Sequence, residues 1–429
     1  MGEFPTDFLF GASTAAHQVE GNNINSDFWA LEGIPNSMFK EPSLDAVDHY
    51  NRYEEDIMLL KNAGLNAYRF SIEWARIEPL QGKWDEKEIE HYRRKLAFCR
   101  KNGVEPIITM HHFSSPKWLI QKGGWSNPET ADFFAGYCEK VVKELGAEMK
   151  YVCTINEANM ILQILRLMQD MMGQANDVQT GLNMQQGQEM RVAYAKAAME
   201  QHGINPKNIF LSPNKGVVSN AIVIQSHTKA RDSMKAICPH LKIGLTLSLH
   251  DFQTQPGGEY DAEVEWIEEF KQYLPYIYND DFIGVQNYTR KIIGANGRVK
   301  PSDDAPVTQM GYENYPAAIG NVARKVAEGF KGEIIITENG IAIDDDSIRI
   351  EFIRKALEGV QKCVADGVPI KGYMHWSLLD NFEWQLGYAR TFGLIAVDRK
   401  TQTRHPKESL SVLGNIAKSG GASICYKNS

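Results

Sequence analysis

Eight short apolar or β-branched runs punctuate the chain, each followed, after a loop, by a longer stretch whose apolar residues recur at three- and four-residue spacing. The runs are 8–13, 66–71, 105–110, 151–156, 242–247, 282–287, 333–337 and 371–376. Runs of this length and composition read as strands. The longer stretches, such as 49–64, 86–103, 186–203 and 347–367, read as amphipathic helices, several of them stopping at a glycine. Parallel strands need crossover connections, which the helices supply, so eight units in unbroken order predict an α/β chain closed into a (β/α)8 barrel of the TIM type. An open doubly wound sheet is the alternative, but no GxGxxG follows the first strand. No Pro/Ser-rich linker or shift of composition interrupts the 429 residues, so residues 1–429 are expected to form a single barrel domain.

Charge and composition narrow the partners. The net charge is −8, from 54 acidic and 46 basic residues, and no Lys/Arg run makes a phosphate-binding stripe, so nucleic acid is not an expected partner. No stretch approaches the ~20 apolar residues of a membrane span, and "MGEFPTDFLFG" has no basic start leading into an apolar run. Neither membrane nor export is expected, which leaves the cytoplasm. Cys99, Cys138, Cys153, Cys238, Cys363 and Cys425 form no CxxC pair and read as free thiols in a reducing compartment.

In a barrel of this type, active sites gather at the C-terminal ends of the strands. That draws attention to "EIIITENG", Glu333 to Gly340, where a core-type strand runs into Glu338. A buried carboxylate is costly unless paired, so Glu338 needs a partner or a function. The fourth strand ends "TINEAN", which sets Asn156 and Glu157 at the equivalent position. Two carboxylates facing each other across the mouth suit glycoside hydrolysis, in which one protonates the leaving oxygen and the other attacks the anomeric carbon or activates water. Arg69, in "YRFSIEWARIEP", could hold one carboxylate ionised, and that anion would keep the other protonated. Gln18 and Glu20 follow the first strand, His111 and His112 the third, and Trp376, Glu383 and Trp384 the eighth. Amides, imidazoles and carboxylates bind hydroxyls, and indole faces pack on the apolar face of a pyranose.

Taken with "DFLFGASTAAHQVEG", "HHFSSPKWL", "ITENG", "HWSLLDNFEWQLGYARTFGLIAVD" and "TRHPKES", these motifs span essentially the whole chain. The sequence resembles glycoside hydrolase family 1, the β-glucosidase and β-galactosidase family. The resemblance implies a retaining barrel enzyme without a metal or organic cofactor. It implies that Glu157 is the acid/base of the TxNEP motif and Glu338 the nucleophile of the [IV]TENG motif, with Arg69 and Tyr288 contacting the nucleophile. Gln18, His111, Asn156 and Glu383 match the hydrogen-bonding residues of the sugar subsite, and Trp376 and Trp384 its aromatic floor and wall.

The substrate so implied is a small-molecule β-glycoside or oligosaccharide with a terminal unphosphorylated β-D-glucoside, with β-galactosides and β-fucosides also taken. A carboxylate at Glu383 opposes a phosphorylated sugar. Glu rather than Gln at 157 opposes a thioglucosidase. Two other classes are a catalytically silent sugar-binding barrel, which usually lacks one carboxylate, and a metal-dependent barrel hydrolase. For the latter, His111–His112 has no companion at ligand spacing and HExxH is absent.

Three departures from the family pattern stand out. Ala158 replaces the Pro of TxNEP. "VQNYTR" replaces the usual NYY, leaving Tyr288 in register and Gln286 in place of Asn. The Met-rich segment 160–184 lacks the family's usual composition, which points to a reshaped leaving-group side. Trp29, Trp74, Trp118 and Trp125 read either as core or as facing the leaving group, and Asp346 or Ser347 is expected to cap the helix that follows "IDDD".

Overall fold

Each predicted strand forms within a residue or two of its predicted bounds, and the eight close on one another. They are β1 (Leu9–Ser13), β2 (Ala67–Ser71), β3 (Glu105–His111), β4 (Tyr151–Ile155), β5 (Lys242–Ser248), β6 (Phe282–Gln286), β7 (Glu333–Asn339) and β8 (Ile370–Trp376). All eight pair in parallel, in the order β1-β8-β7-β6-β5-β4-β3-β2, which returns to β1 and leaves no free edge. The computed structural model describes residues 3–171, 187–212 and 216–425. Most of the Met-rich stretch therefore lies outside the described residues; its first part is the helix Met160–Met171.

The packing follows from closure. Ala67, Ile107, Tyr151, Phe282, Ile335 and Met374 sit on six different strands yet make one buried cluster, which is possible only inside the ring. A larger buried cluster joins the outward faces of the strands to the helices. The helices start and stop where local chemistry directs. Asp85 accepts from the Lys87 and Glu88 amides to open Glu86–Lys101, and Gly64, at φ 112°, closes His49–Ala63 in a conformation side-chain-bearing residues avoid. The helix Asp346–Ala365 is capped by Asp345, whose side chain accepts from the Ser347 amide, one residue earlier than the sequence suggested.

Near the mouth β7 carries an extra residue relative to both neighbours. Ile336 pairs with Val285 and Glu338 with the very next residue of β6, Gln286, and a matching irregularity separates Ile336 and Asn339 against β8. A bulge of this kind re-aims the side chains that follow it. Here it sits next to Glu338. Trp74, Trp118 and Trp125 are buried in the core. Cys99, Cys138, Cys153, Cys238 and Cys363 are free thiols. Among the described residues no helix is long and apolar enough to cross a membrane.

Candidate active site

At the C-terminal end of the barrel, Glu157, Glu338 and Glu383 line one cavity of about 510 Å³ together with His112, Tyr288, Trp376 and Trp384. Three carboxyl groups in one buried cavity repel one another, so the contacts of each decide which carries charge.

Glu338 is the best neutralised. Arg69 Nη1 donates to its Oε1 at 2.6 Å, and the Tyr288 hydroxyl donates to its Oε2 at 2.6 Å. Arg69 Nη2 donates at 2.6 Å to Asn156 Oδ1, which also accepts from Gln286 Nε2 at 2.7 Å. Burial pushes the Glu338 carboxyl up, while Arg69, Tyr288 and Gln286 pull it back. Burial and then the Glu338 charge push Glu157 well above the ordinary carboxylate range, with Ser248 and Arg69 opposing. The proton of the pair therefore rests on Glu157. Glu383 is raised to about 8, by burial first and by Glu338 second.

The turn that carries Glu157 is tied to β5. Glu157 has φ 43°, in the left-handed region. Its amide donates to Thr246 Oγ1 at 3.0 Å, and the Ala158 amide donates to the Thr246 carbonyl at 3.0 Å. Asn159 exchanges hydrogen bonds with the Ser248 backbone at 2.6 and 3.0 Å. A proline at 158 would have no N–H to give. The substitution of Ala for Pro thus adds a tether rather than simply loosening the turn.

Aromatic rings form the walls. The His112 ring stacks on Trp376 at 5.6 Å and on Trp384 at 5.9 Å, and its Nε2 lies 4.0 Å from Glu338 Oε1. Burial and the neighbouring Arg69 hold His112 well below the ordinary histidine range, hence neutral. Behind the wall, Gln18 Nε2 donates to the Phe382 carbonyl at 2.8 Å and reaches Glu383 Oε2 at 3.4 Å. Gln18 Oε1, Asn156 Nδ2 and His112 Nδ1 are buried without a partner among the described residues. Groups of this kind are met by ligand or water.

Of the residues singled out in the sequence, Glu157, Glu338, Glu383, Tyr288, Trp376 and Trp384 come together on the cavity wall, with Arg69, Asn156 and Gln18 directly behind. His111 does not join them. Its Nε2 bonds Ser115 Oγ at 3.0 Å and its ring packs on Trp125 and Phe210, so the histidine facing the cavity is His112. Two adjacent histidines at a strand end point to different sides, and nothing in the pair itself says which faces inward. Glu20 is likewise withdrawn, held by Arg76 at 3.1 Å, Lys95 at 3.6 Å and the Tyr92 hydroxyl at 2.9 Å. Gln286 and Thr246 contribute contacts that only the barrel register brings into place. Among the described residues, no three His, Cys, Asp or Glu side chains gather as a metal-ligating group.

Comparison with known proteins agrees with this geometry. A family model described as glycosyl hydrolase family 1 matches residues 1–422. The 1,4-beta-D-glucan glucohydrolase of Thermotoga neapolitana is 31% identical over 98% of this chain and 99% of its own length. Beta-glucosidase A of Thermotoga maritima is 31% identical over 98% of both chains. Among solved structures, beta-glycosidase BGL167 superposes with a TM-score of 0.88 at 39% identity, covering 99% of this chain and 100% of that one.

Proposed function

The chain belongs to glycosyl hydrolase family 1, and from that premise we propose that it is a retaining β-glucosidase acting on terminal unphosphorylated β-D-glucosides, with β-galactosides and β-fucosides as further substrates. The observation that carries this reading is the asymmetry of the carboxyl pair: Glu338 is bonded by Arg69 and Tyr288, whereas Glu157 is raised and, among the described residues, has no direct cationic contact.

Glu338 attacks the anomeric carbon while Glu157 gives its proton to the departing oxygen. The resulting glycosyl ester removes the Glu338 charge. The pKa of Glu157 then falls, and Glu157 serves as base for the incoming water. Attack from the opposite face in each step returns the original anomer. The reading requires the two carboxyls to stand roughly 5–5.5 Å apart, the retaining separation.

Gln18, Asn156, His112 and Glu383 offer the donors and acceptors for sugar hydroxyls, and Trp376 and Trp384 the apolar faces. Among the described residues no Lys or Arg lines the cavity, which disfavours a phosphate-bearing sugar. A second cavity of about 640 Å³ shares Tyr312 with the first and is lined by Arg290, Arg298 and Glu313, a polar space suited to the leaving group. The whole chain is taken to work as one barrel unit.

The test is hydrolysis of a panel of aryl β-glucoside, β-galactoside and β-fucoside, with the first-formed sugar followed by proton NMR. The reading predicts cleavage with the β-anomer appearing first. An inert folded protein, or an α-anomer first, contradicts it.

A further inference from the structure

We propose that Thr246 is a positioning residue for the acid/base carboxyl, the point at which the turn bearing Glu157 is anchored and linked to the nucleophile. This rests on the assignment of Glu157 above.

Glu157 sits in a left-handed backbone conformation, which a side-chain-bearing residue keeps only when its surroundings enforce it. Thr246 supplies two of the bonds that enforce it. Its hydroxyl oxygen accepts from the Glu157 amide at 3.0 Å, and its carbonyl accepts from the Ala158 amide at 3.0 Å. The second bond needs an N–H at residue 158, which Ala158 has and a proline would lack.

The same hydroxyl connects onward. The hydroxyl oxygen lies 3.2 Å from the Ile155 carbonyl and 3.4 Å from Gln286 Oε1, two acceptors that share its one hydrogen. Gln286 Nε2 bonds Asn156 Oδ1 at 2.7 Å, that oxygen accepts from Arg69 at 2.6 Å, and Arg69 holds Glu338 at 2.6 Å. One buried chain of contacts thus runs from the acid turn to the nucleophile. Thr246 is fully buried and is not on the cavity wall, so it acts through Glu157 and not on substrate.

The bland alternative is a threonine filling space against Gly284, which its methyl approaches closely. Thr246→Val keeps that methyl and replaces only the hydroxyl, by a second methyl of similar size. If Thr246 positions the acid, the loss in kcat/KM for Thr246→Val depends on the leaving group. Phenyl β-glucoside, which needs protonation, loses about tenfold or more, and dinitrophenyl β-glucoside, which does not, loses less than about threefold. In Glu157→Ala, where the base itself is absent, turnover of the dinitrophenyl substrate is limited by the second step and is accelerated by added azide, with a β-glucosyl azide as product. Thr246→Ser restores the phenyl substrate to within about threefold of wild type.

Equal losses on both substrates, or none on either, overturn the proposal. Should Thr246→Val not fold, Thr246→Ala is compared with Thr246→Ser, since both lack the methyl and differ only in the hydroxyl. Glu157→Ala is the control for the underlying assignment and should show the leaving-group dependence more strongly. If Glu157→Ala lacks it, the assignment of the acid itself falls, and the role of Thr246 with it.

Discussion

The guanidinium of Arg69 and the carboxylate of Glu338 meet at 2.6 Å with the arginine side chain wholly sealed from solvent. A buried pair of this kind adds little net stability by its own attraction, but removing one partner strands the other. What it sets here is which of two carboxyls stays ionised.

Replacing Arg69 with Met should therefore do more than lower affinity. Glu338 takes up a proton instead of remaining a buried unpaired anion, and kcat/KM near neutral pH falls about a hundredfold or more. The acidic limb of the pH profile moves upward. An unchanged profile with reduced activity would place Arg69 in a purely steric role.

Tyr288→Phe removes the second bond to Glu338 and leaves the ring in place. A hydrogen bond to a charged group is worth about 1.5–3 kcal/mol, or roughly a ten- to hundredfold loss in kcat/KM. Thermal unfolding at the pH optimum should change little. A variant that loses stability in proportion to activity would indicate a structural tyrosine.

The two carboxyls predict a bell-shaped dependence of kcat/KM on pH. Activity needs Glu338 ionised and Glu157 protonated, so it falls as pH drops through the lower transition and as it rises through the upper one. Because burial and the Glu338 charge raise Glu157, the upper limb lies above the ordinary carboxylate range. The limb should be present on phenyl β-glucoside, whose leaving group needs the proton, and weak on dinitrophenyl β-glucoside, which does not; a limb of equal size on both would assign it to another group.

Much of this was legible in the sequence because it depends on period and strand-end position alone. Eight apolar runs became eight barrel strands, and a Glu at the end of the fourth and of the seventh put two carboxyls at one mouth. Three-dimensional register was not legible. The bulge in β7 that sets Glu338 beside Gln286, the tether from Thr246 to the Glu157 turn, and the choice between His111 and His112 all depend on how neighbouring strands are offset. The loop strands Asp251–Thr254, Arg290–Gly294 and Gly297–Val299 were missed as well. They are short, and Asp251, Arg290 and Arg298 interrupt the apolar alternation that marks a strand.

Glu383 predicts a conflict between function and stability. Its folded pKa of about 8 lies above the ordinary value of 4.5. The folded state holds this proton more tightly than the unfolded one, so the destabilisation is absent below the unfolded pKa, grows as pH rises and levels off above about 8. Glu383→Gln should raise stability by roughly 1–3 kcal/mol at alkaline pH and by little at pH ~4, while weakening glucoside turnover. Melting curves of both proteins across this range check it; a constant offset would contradict it.

The central claim is that Glu338 is the nucleophile. It is tested most directly by Glu338→Gly assayed on an activated aryl β-glucoside with and without azide. The variant should be inactive alone and should yield α-glucosyl azide when azide is added, since the small anion occupies the space of the missing carboxylate and attacks from its side. No rescue by azide in a folded variant, or a β-configured azide, would contradict the assignment and the retaining mechanism built on it.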